Sequence, residues 1–284
     1  MFSIIIPTFN NLKYLKFCIE SIKKNSVLEN EILVHVSGDK NKETRNYLSN
    51  KNIIFTFTDK NVGLCTAINT VAKKTNNKYI IYSHDDMYFC PNWEKPLLNE
   101  IKNINHDYFY ISGSMIEPYS GHIRFDCGEN LDQFKEKKLL DNLNNLIIKD
   151  HQGSHFAPHC VHKEIWDKVG GFSEEFNPGI ASDPDFNMKL WKIGVRIFKG
   201  LNSFKVYHFG SLTTRKNKDV VQNRGDITFI KKWGISTAFF KKHYLKSKTD
   251  YNGPLEDPKK NLVYFIDLLK CKLKLLYLKI FNYQ

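Results

Sequence analysis

Two adjacent carboxylates, Asp85 and Asp86, directly follow an apolar run, Tyr79–Tyr82, that predicts a buried strand. Neighbouring carboxylates repel each other, so the pair is costly unless it is solvated or paired with a cation. A divalent cation that prefers oxygen ligands would relieve the repulsion and could bridge to a diphosphate. A solvated acidic turn is the ordinary alternative, and the pair alone does not decide between the two.

Similar polar clusters follow two strand-like runs earlier in the chain. Thr8 and Asn10 follow the run at residues 3–6, and Asp39 follows the run at residues 31–36. In a parallel sheet, ligands bind beyond the carboxyl ends of the strands, so all three clusters would meet at one edge. That edge is the predicted binding site.

The order of the elements predicts how this edge is built. Short runs rich in β-branched residues, at 3–6, 31–36, 53–57 and 79–82, alternate with segments of helical spacing. This alternation favours a mostly parallel sheet flanked by helices, and continuous apolar runs are typical of strands buried on both faces. Pro7 is expected to end the first strand.

Residues 100–215 are less regular and predict only short strands. A helical pattern around Asp185 is expected to end near Gly194. Three histidines in this part recur at helical spacing: His155, His159 and His162. That spacing would suit a second metal site on a helix, but Pro158 interrupts it, so acceptor contacts or ordinary packing fit better.

The last segment of the chain has a different pattern. After Pro258, apolar residues recur at helical spacing: Leu262, Phe265, Ile266, Leu269, Leu273, Leu276 and Ile280. Lysines are interspersed with them: Lys259, Lys260, Lys270, Lys272, Lys274 and Lys279. Such a helix could lie on an anionic membrane surface, and packing on its own domain or in a dimer is the alternative.

The composition indicates a globular chain with a strong positive charge. The 284 residues carry a formal net charge of +12, with 42% hydrophobic and 25% charged residues. This charge calls for an anionic partner, which could be nucleic acid, an acidic membrane or a phosphorylated substrate.

Six scattered cysteines without a CxxC pair are typical of reduced thiols. Without a signal-peptide pattern or an apolar run of about 20 residues, we expect a cytoplasmic protein, or one peripheral on the inner face of a membrane.

These residues belong to a longer series of motifs. The series is Ser3-Ile4-Ile5-Ile6-Pro7-Thr8-Phe9-Asn10, Ser37-Gly38-Asp39, Asn61-Val62-Gly63-Leu64 with Ala67-Ile68-Asn69, His84-Asp85-Asp86-Met87, Gly170-Gly171-Phe172, Ser182-Asp183-Pro184-Asp185-Phe186 and His208. In this order it resembles the inverting glycosyltransferases of family two, which have the GT-A fold. The resemblance covers about residues 3–215.

The resemblance implies a role for each matching residue. Asp183 would be the base that takes the proton of the acceptor hydroxyl, although an Asp before Pro also commonly begins a helix as its cap. Asp86 and His208 would hold Mn²⁺ or Mg²⁺ against the diphosphate. Contacts to the nucleotide-sugar would come from Pro7, Thr8, Asn10, Asp39, Asn61, Gly63, Asn69 and Asp85. Asp185 and His159 would contact the acceptor.

Two positions depart from the family pattern. His84 stands where the family often has Asp, Asn or Thr, and Ser182 stands where Glu is commoner. The acidic pair after His84 still matches, whereas Ser182 puts a supporting contact in doubt. The ordinary alternatives are a hydrogen-bonded structural histidine for His208 and an exposed turn for Asp39.

The sequence thus predicts an α/β chain of the GT-A (Rossmann-like) type with a helical C-terminal tail. Residues 1–100 would bind the nucleotide-sugar, residues 101–215 would bind the acceptor and carry catalysis, and residues 216–284 would form a helical extension. The expected reaction is metal-dependent, inverting transfer of a hexosyl group from a nucleotide-sugar, with UDP the first expectation.

The expected acceptor is a glycan or a lipid-linked glycan in polysaccharide biosynthesis, and nucleic acid is not the expected partner. One alternative is a nucleotidyltransferase on a similar fold, although no Gly-rich phosphate loop follows the first strand. The other is a non-catalytic relative that binds glycan or nucleic acid.

Overall fold

The computed structural model describes residues 2–40, 42–210 and 224–281, and within them ten strands form one sheet. In chain order the strands are β1 (Phe2–Phe9), β2 (Glu31–Ser37), β3 (Ile54–Thr58), β4 (Tyr79–Tyr82), β5 (Met87–Phe89), β6 (Phe109–Glu117), β7 (Ile123–Arg124), β8 (His151–Gln152), β9 (His159–His162) and β10 (Ile197–His208). The α-helices are α1 (Leu12–Asn25), α2 (Glu43–Asn50), α3 (Leu64–Ala72), α4 (Glu94–Ile104), α5 (Glu136–Asn142), α6 (Lys163–Val169), α7 (Ser182–Lys192), α8 (Gly225–Trp233), α9 (Thr237–Phe239) and α10 (Leu262–Ile280). The predicted boundary between residues 215 and 216 lies outside the described residues.

The strands follow the order β3-β2-β1-β4-β9-β6-β10-β5, with β7 beside β6 and β8 beside β10. The first four strands are parallel, as predicted. β9 then lies antiparallel between β4 and β6, and β6 and β10 are parallel to each other. The α/β class and the helical C-terminal tail are therefore confirmed, with a mixed sheet in the second half.

The first strand continues past its predicted end at Pro7. β1 keeps its pairing with β2 through its last residue. On the other side its pairing with β4 ends at Ile5 and Tyr82, so Pro7 lies beyond the last pair there. Proline donates no N–H to a sheet and is tolerated where a neighbouring strand is missing. The extension places Thr8 at the carboxyl edge of the sheet.

The apolar runs form a core on both faces of the first half of the sheet. Ile4, Ile5 and Ile6 are consecutive and all fully buried, because helices cover both sides of β1. Each such side chain contributes about 1.5–3 kcal/mol when it is removed from water. Buried residues of α1, including Leu15 and Ile19, supply one of these covers, as their helical spacing predicts.

The prediction of only short strands after residue 100 is wrong. β6 has 9 residues and β10 has 12, and the two pair along most of their length. β6 is interrupted by Gly113, where an added Cβ would press against the carbonyl of Phe204. β10 carries an irregularity between Leu201 and Lys205. Both features break the local pattern that identifies a strand from sequence.

The C-terminal helix packs with one face and exposes the other. The face of α10 that meets the domain carries Tyr264, Leu268, Cys271, Leu275 and Leu278. The predicted apolar stripe lies on the opposite face, where its members are between 45% and 75% exposed. The alternative that α10 packs on its own domain is therefore correct, but the residues that pack are those of the inner face and not those of the predicted stripe. Among the described helices, none combines the length and apolar character needed to cross a lipid bilayer.

Candidate active site

Three side chains that could ligate a metal meet at the carboxyl edge of the sheet. The ligand atoms of His84, Asp86 and His208 all lie within 4.8 Å of one another. His208 Nε2 is 3.3 Å and His84 Nδ1 is 3.9 Å from Asp86 Oδ1. The antiparallel pairing of β5 with β10 sets His208 opposite Met87 and so beside Asp86. The predicted pair of ligands is brought together, and His84, which departs from the family pattern, joins it.

Glu117, at the end of β6, is a member of the site that the sequence did not indicate. Its Oε1 lies 2.6 Å from His208 Nδ1. A carboxylate can only accept, so Nδ1 carries the proton and Nε2 is the atom left to face a cation. A second carboxylate that orients a ligating histidine in this way is usual at metal sites. Two imidazoles and a carboxylate are also a donor set that suits Mn²⁺ better than Mg²⁺, so these residues fit a divalent cation.

The charges of the site hold these groups together. Burial alone would lower the pKa of His208, but the carboxylates of Asp86 and Glu117 outweigh it and raise this pKa to about 10. Burial would raise the pKa of Asp86, but His208 and His84 outweigh it and lower this pKa to about 2. When no metal cation is bound, a proton on His208 therefore balances the charge of the carboxylates. The proton and the cation exclude each other, because each would lie between His208 and Asp86.

We expect Glu117→Gln to weaken Mn²⁺ binding about 10- to 100-fold, because the amide lacks the charge that makes His208 a better ligand. Calorimetric titration of Mn²⁺ measures the affinity. Glu129→Gln, at an exposed glutamate, is the matched control and should leave the affinity unchanged. Equal affinities in all three proteins would mean that Glu117 has no part in metal binding.

Asp85 joins the ends of β1 and β4. Its carboxylate accepts hydrogen bonds from Thr8 Oγ1 at 2.6 Å and from Asn11 Nδ2 at 2.9 Å. Burial and the neighbouring charge of Asp86 raise the pKa of Asp85, and the two hydrogen bonds oppose this rise. The structure thus brings Thr8 and Asp85 together as predicted, and Asn11 is a contact that the sequence did not indicate.

Two more predicted nucleotide contacts lie at the same end of β1. Pro7 is half-buried within the strand, and Asn10 is exposed just beyond it with a left-handed φ of 51°. Their contact with a nucleotide stays a prediction.

Asp39 is buried and fixed, so the alternative of an exposed turn is wrong for it. Its carboxylate accepts hydrogen bonds from the backbone N–H of Arg45 at 3.0 Å and from Arg45 Nε at 3.3 Å. The guanidinium of Arg45 lies 3.7 Å above the ring of Phe57. Asp39 therefore fixes the start of α2 and the guanidinium of Arg45. Its contact with a nucleobase or ribose stays a prediction.

The predicted residues around α3 link that helix to the loop after α6. Asn61 Oδ1 accepts from the backbone N–H of Gly63 at 3.0 Å. Gly63 has a φ of 81°, and an added Cβ would collide with the side chain of Asn177. Asn69 bonds both backbone groups of Phe172, accepting at 2.8 Å and donating at 2.7 Å. These bonds are structural, and direct contact of these residues with a nucleotide-sugar stays a prediction.

Asp183 lies within the first turn of α7 and does not cap it. The cap residue is Ala181, whose side chain makes no capping hydrogen bond. The capping alternative for Asp183 is therefore wrong.

The Oδ1 atom of Asp183 is buried without a hydrogen-bond partner among the described residues. Burial raises the pKa of Asp183 to about 7, although the charge of Lys241 lowers it in part. A carboxylate with this pKa is suited to accept a proton near neutral pH.

Asp185 is sealed inside the protein, so its predicted contact with an acceptor is wrong for this structure. It is fully buried and accepts hydrogen bonds from Ser173 Oγ at 2.6 Å and Trp233 Nε1 at 2.8 Å. Lys232 Nζ lies 3.0 Å from the same carboxylate. Asp185 therefore holds α8 against α7.

His159 is also buried completely, which removes it from the predicted acceptor site. It lies in β9 beside the rings of Phe172 and Phe186, and its Nδ1 is 2.9 Å from the hydroxyl of Tyr110. Because β9 is a strand, the three histidines at helical spacing do not share a helix face. Within the described residues, a group of side chains placed to hold a metal forms only around Asp86.

One cavity of about 1310 Å³ connects the parts of the site. His84, Glu117 and His208 line it on the side of the sheet, and Asp183 lines it on the side of α7. Lys241, Lys242 and residues 246–250, which follow α9, complete the wall. The candidate proton acceptor and the candidate cation site thus line the same cavity. Its volume is large enough for a sugar and the groups bonded to it.

Comparison with known proteins defines the class of this chain. Residues 3–156 match the family "Glycosyl transferase family 2". That match spans more than half of the sequence, and the chain belongs to this family.

Two curated relatives illustrate the relationship. An uncharacterised glycosyltransferase of Rickettsia prowazekii, RP339, is 26% identical over 193 residues, which cover 67% of this chain and 58% of that protein. Chondroitin synthase of Escherichia coli is 24% identical over 226 residues, which cover 77% of this chain and 30% of that protein. The chain therefore spans less than two thirds of the length of either relative.

Solved structures agree on the fold. TarS 1-349 of S. aureus superimposes with a TM-score of 0.55 at 15% identity, covering 73% of this chain and 60% of that one. GalNAc-T7, solved with UDP, GalNAc and Mn²⁺, gives a TM-score of 0.56 at 15% identity, covering 73% of this chain and 43% of that one. The chain has the GT-A fold of these glycosyltransferases.

Proposed function

We propose that this protein transfers a sugar from a UDP-sugar to the hydroxyl of a glycan or lipid-linked glycan, with inversion at the anomeric carbon. The observation that carries the proposal is Asp183, a buried carboxylate with a pKa of about 7 that lines the same cavity as His84 and His208. Family membership supports the chemistry, and it favours a transferase over a nucleotidyltransferase on a similar fold.

Asp183 acts as the base in this reaction. It takes the proton of the acceptor hydroxyl while the hydroxyl oxygen forms a bond to the anomeric carbon. On the opposite face the bond from this carbon to the diphosphate oxygen breaks, and the nucleotide leaves with the electron pair. Attack and departure on opposite faces give the inverted product, and Asp183 ends the step protonated.

His84, Asp86 and His208 would hold the divalent cation, and Glu117 would orient His208 toward it. When bound, the cation neutralises the charge that develops on the departing diphosphate. UDP is supported as the nucleotide because TarS and GalNAc-T7, which share the fold, have been solved with UDP. Asp39, Asp85 and the end of β1 would position the nucleoside.

The proposal is tested by incubating the protein with UDP-, GDP- and dTDP-sugars, Mn²⁺ and a panel of glycan acceptors. We expect Mn²⁺-dependent release of UDP from one donor, and NMR of the product should show the opposite anomeric configuration. A product with retained configuration contradicts the role of Asp183. Binding of acceptor glycans without transfer from any donor would favour a non-catalytic relative.

We further propose that α10 attaches the protein to an anionic membrane surface. Its outer face carries exposed apolar side chains, whereas its inner face packs on the domain. Successive residues of a helix are about 100° apart, which sets Lys270, Lys272, Lys274 and Lys279 on both flanks of the outer face. Flanking lysines suit anionic lipid headgroups while the apolar face enters the membrane, so the charge pattern favours a membrane over a second copy.

Replacing Leu269, Leu273 and Leu276 by Ser should abolish flotation with vesicles that contain phosphatidylglycerol, because the outer face loses the apolar area that binds lipid. These leucines are exposed, so the fold should persist. The matched control replaces three exposed apolar residues elsewhere, Val27, Ile54 and Ile147, and should float like wild type. Unchanged flotation of the α10 variant, or a wild-type dimer that this variant dissociates, contradicts the proposal.

A further inference from the structure

The side chains that line the cavity of the proposed active site carry more positive than negative charge. Of the side chains that line it, five are lysines and three are carboxylates. The lysines are Lys149, Lys241, Lys242, Lys246 and Lys248. All but Lys149 come from the segment between α9 and α10, which the sequence assigned to an extension outside the site. The lysines and the carboxylates that line this cavity thus come from parts of the chain that are far apart in sequence.

Two of these lysines are neutralised by aspartates. Lys149 Nζ lies 2.5 Å from Asp250, and Lys242 Nζ lies 2.7 Å from Asp267. Among the described residues, no carboxylate lies within ion-pair distance of the other three. These three lysines line the cavity without forming an ion pair with any described carboxylate, which favours an anionic ligand.

The backbone that carries these three lysines is held against the sheet. Ser247 Oγ donates to the carbonyl of Gly153 at 2.9 Å, and the N–H of Gln152 donates to the carbonyl of Thr249 at 2.8 Å. Lys246 and Lys248 both adopt left-handed φ angles, 50° and 74°. Non-glycine residues adopt this conformation at a cost in free energy, and the two hydrogen bonds to residues 152 and 153 hold the segment in it.

Lys241 connects this group of lysines with the proposed base. It is close enough to Asp183 for each charge to shift the pKa of the other. An anionic group bound by Lys241 would therefore lie near the hydroxyl that Asp183 deprotonates. Lys246 and Lys248 line the same cavity as Lys241 and Asp183, so we assign this group of lysines to the acceptor.

A histidine beside these lysines is prepared to accept a hydrogen bond. His155 is buried, and its Nδ1 lies 3.1 Å from the carbonyl of Gly153, which can only accept. Nδ1 therefore carries the proton of the neutral ring, and burial together with Lys241 lowers the pKa of His155 to about 3. Nε2 is left as an acceptor and has no partner among the described residues. A ligand hydroxyl would satisfy it.

We propose that the acceptor of this protein carries a phosphate group, bound by Lys241, Lys246 and Lys248 next to a hydroxyl that His155 recognises. The inference rests on the proposed transferase function and specifies its acceptor. Several lysine ammonium groups can bind one phosphate as point charges from different directions, which suits the three lysines of this cavity that form no ion pair among the described residues.

Binding is measured by calorimetry on the full chain after saturation with UDP and Mn²⁺, which fills the donor side. Glucose 1-phosphate and methyl glucoside are the charged and neutral probes. We expect glucose 1-phosphate to bind at least about tenfold more tightly, because charge-assisted hydrogen bonds exceed neutral ones. The preference should shrink with added salt, since these lysines are partly exposed.

The test variant combines Lys241→Met, Lys246→Asn and Lys248→Asn, because asparagine tolerates the left-handed conformation. It should lose the preference for glucose 1-phosphate and keep its affinity for UDP, which also shows that it is folded. The control combines Lys73→Gln, Lys95→Gln and Lys102→Gln, three exposed lysines remote from the cavity. An equal affinity of wild type for both probes, or a preference that survives in the test variant, overturns the proposal.

Two competitors identify the source of the phosphate. Displacement of glucose 1-phosphate by inorganic phosphate supports a soluble phosphorylated glycan. Stronger displacement by vesicles containing dodecyl phosphate supports a lipid-linked phosphate. Failure of both competitors contradicts a phosphate site. Failure of UDP to bind in the first step would instead contradict the proposed function, and it is seen before either probe is added.

Discussion

Asp183→Asn lowers kcat for sugar transfer by about 10²- to 10⁴-fold, while the affinity for UDP stays unchanged. The substitution keeps the size of the side chain but removes the group that takes the proton. Because Asp183 caps no helix and its Oδ1 has no hydrogen-bond partner among the described residues, the fold should not depend on its charge. The rate is measured as release of UDP with a saturating acceptor.

The pH profile tests the same residue. Burial raises the pKa of Asp183 to about 7, so the base is protonated and inactive below this pH and ionised above it. For wild type, kcat/KM should fall about tenfold per unit as the pH decreases below 7, and level off above it. In Asp183→Asn this dependence should disappear.

The matched control for this prediction is Asp59→Asn, at an exposed aspartate remote from the cavity, which should keep the wild-type rate and profile. If Asp183→Asn instead retains most of the activity, another group removes the proton. A rate loss accompanied by lost UDP affinity would indicate that the substitution disturbs the fold rather than the proton transfer.

Asp86→Asn weakens Mn²⁺-dependent binding of UDP by at least about 100-fold. Asp86 is the only carboxylate of the three candidate ligands, and its oxygen is the atom that both His84 and His208 approach. Without its charge, two neutral imidazoles must hold the cation against the diphosphate. Calorimetry with UDP, GDP and dTDP, each with and without Mn²⁺, measures the loss and identifies the nucleotide.

Asp132→Asn, at a well-exposed aspartate, is the control for Asp86 and should bind UDP and Mn²⁺ like wild type. Wild type should bind one nucleotide much better with Mn²⁺ than without it. UDP binding that is independent of metal and survives in Asp86→Asn would show that the three residues are a structural cluster.

The first half of the fold and the polar edge of its sheet could be predicted from the sequence. The runs that became β1, β2 and β4 are mostly apolar, because strands buried on both faces have little room for polar residues, whereas β3 lies at the edge of the sheet and is partly exposed. Asp85 and Thr8 were expected at the same edge because each follows or ends a strand of a parallel sheet at its carboxyl end, and they are hydrogen-bonded there. The resemblance to family two added Asp86, Asp183 and His208, none of which periodicity alone would distinguish from a turn, a cap or a structural histidine.

The local pattern was misleading where a residue's surroundings come from elsewhere in the chain. Asp185 has the same motif context as Asp183, but Trp233 and Lys232 arrive from α8 and seal it. His159 has the spacing of a helix face, yet it lies in β9 because this strand pairs with β4 and β6. Neither outcome can be inferred from the neighbouring residues.

The sequence by itself determined the α/β class, the order of the first strands and the chemistry of its acidic motif, because these depend on short apolar runs and adjacent residues. Only the tertiary structure decided that His84 and Glu117 join the candidate metal ligands and that lysines after α9 line the same cavity as the candidate base, Asp183. Glu117 and His208 are 91 residues apart, and they meet because β6 and β10 lie side by side. Contacts of this kind arise when strands that are far apart in sequence pair in one sheet. This pairing brings distant residues together and leaves no local pattern in the sequence.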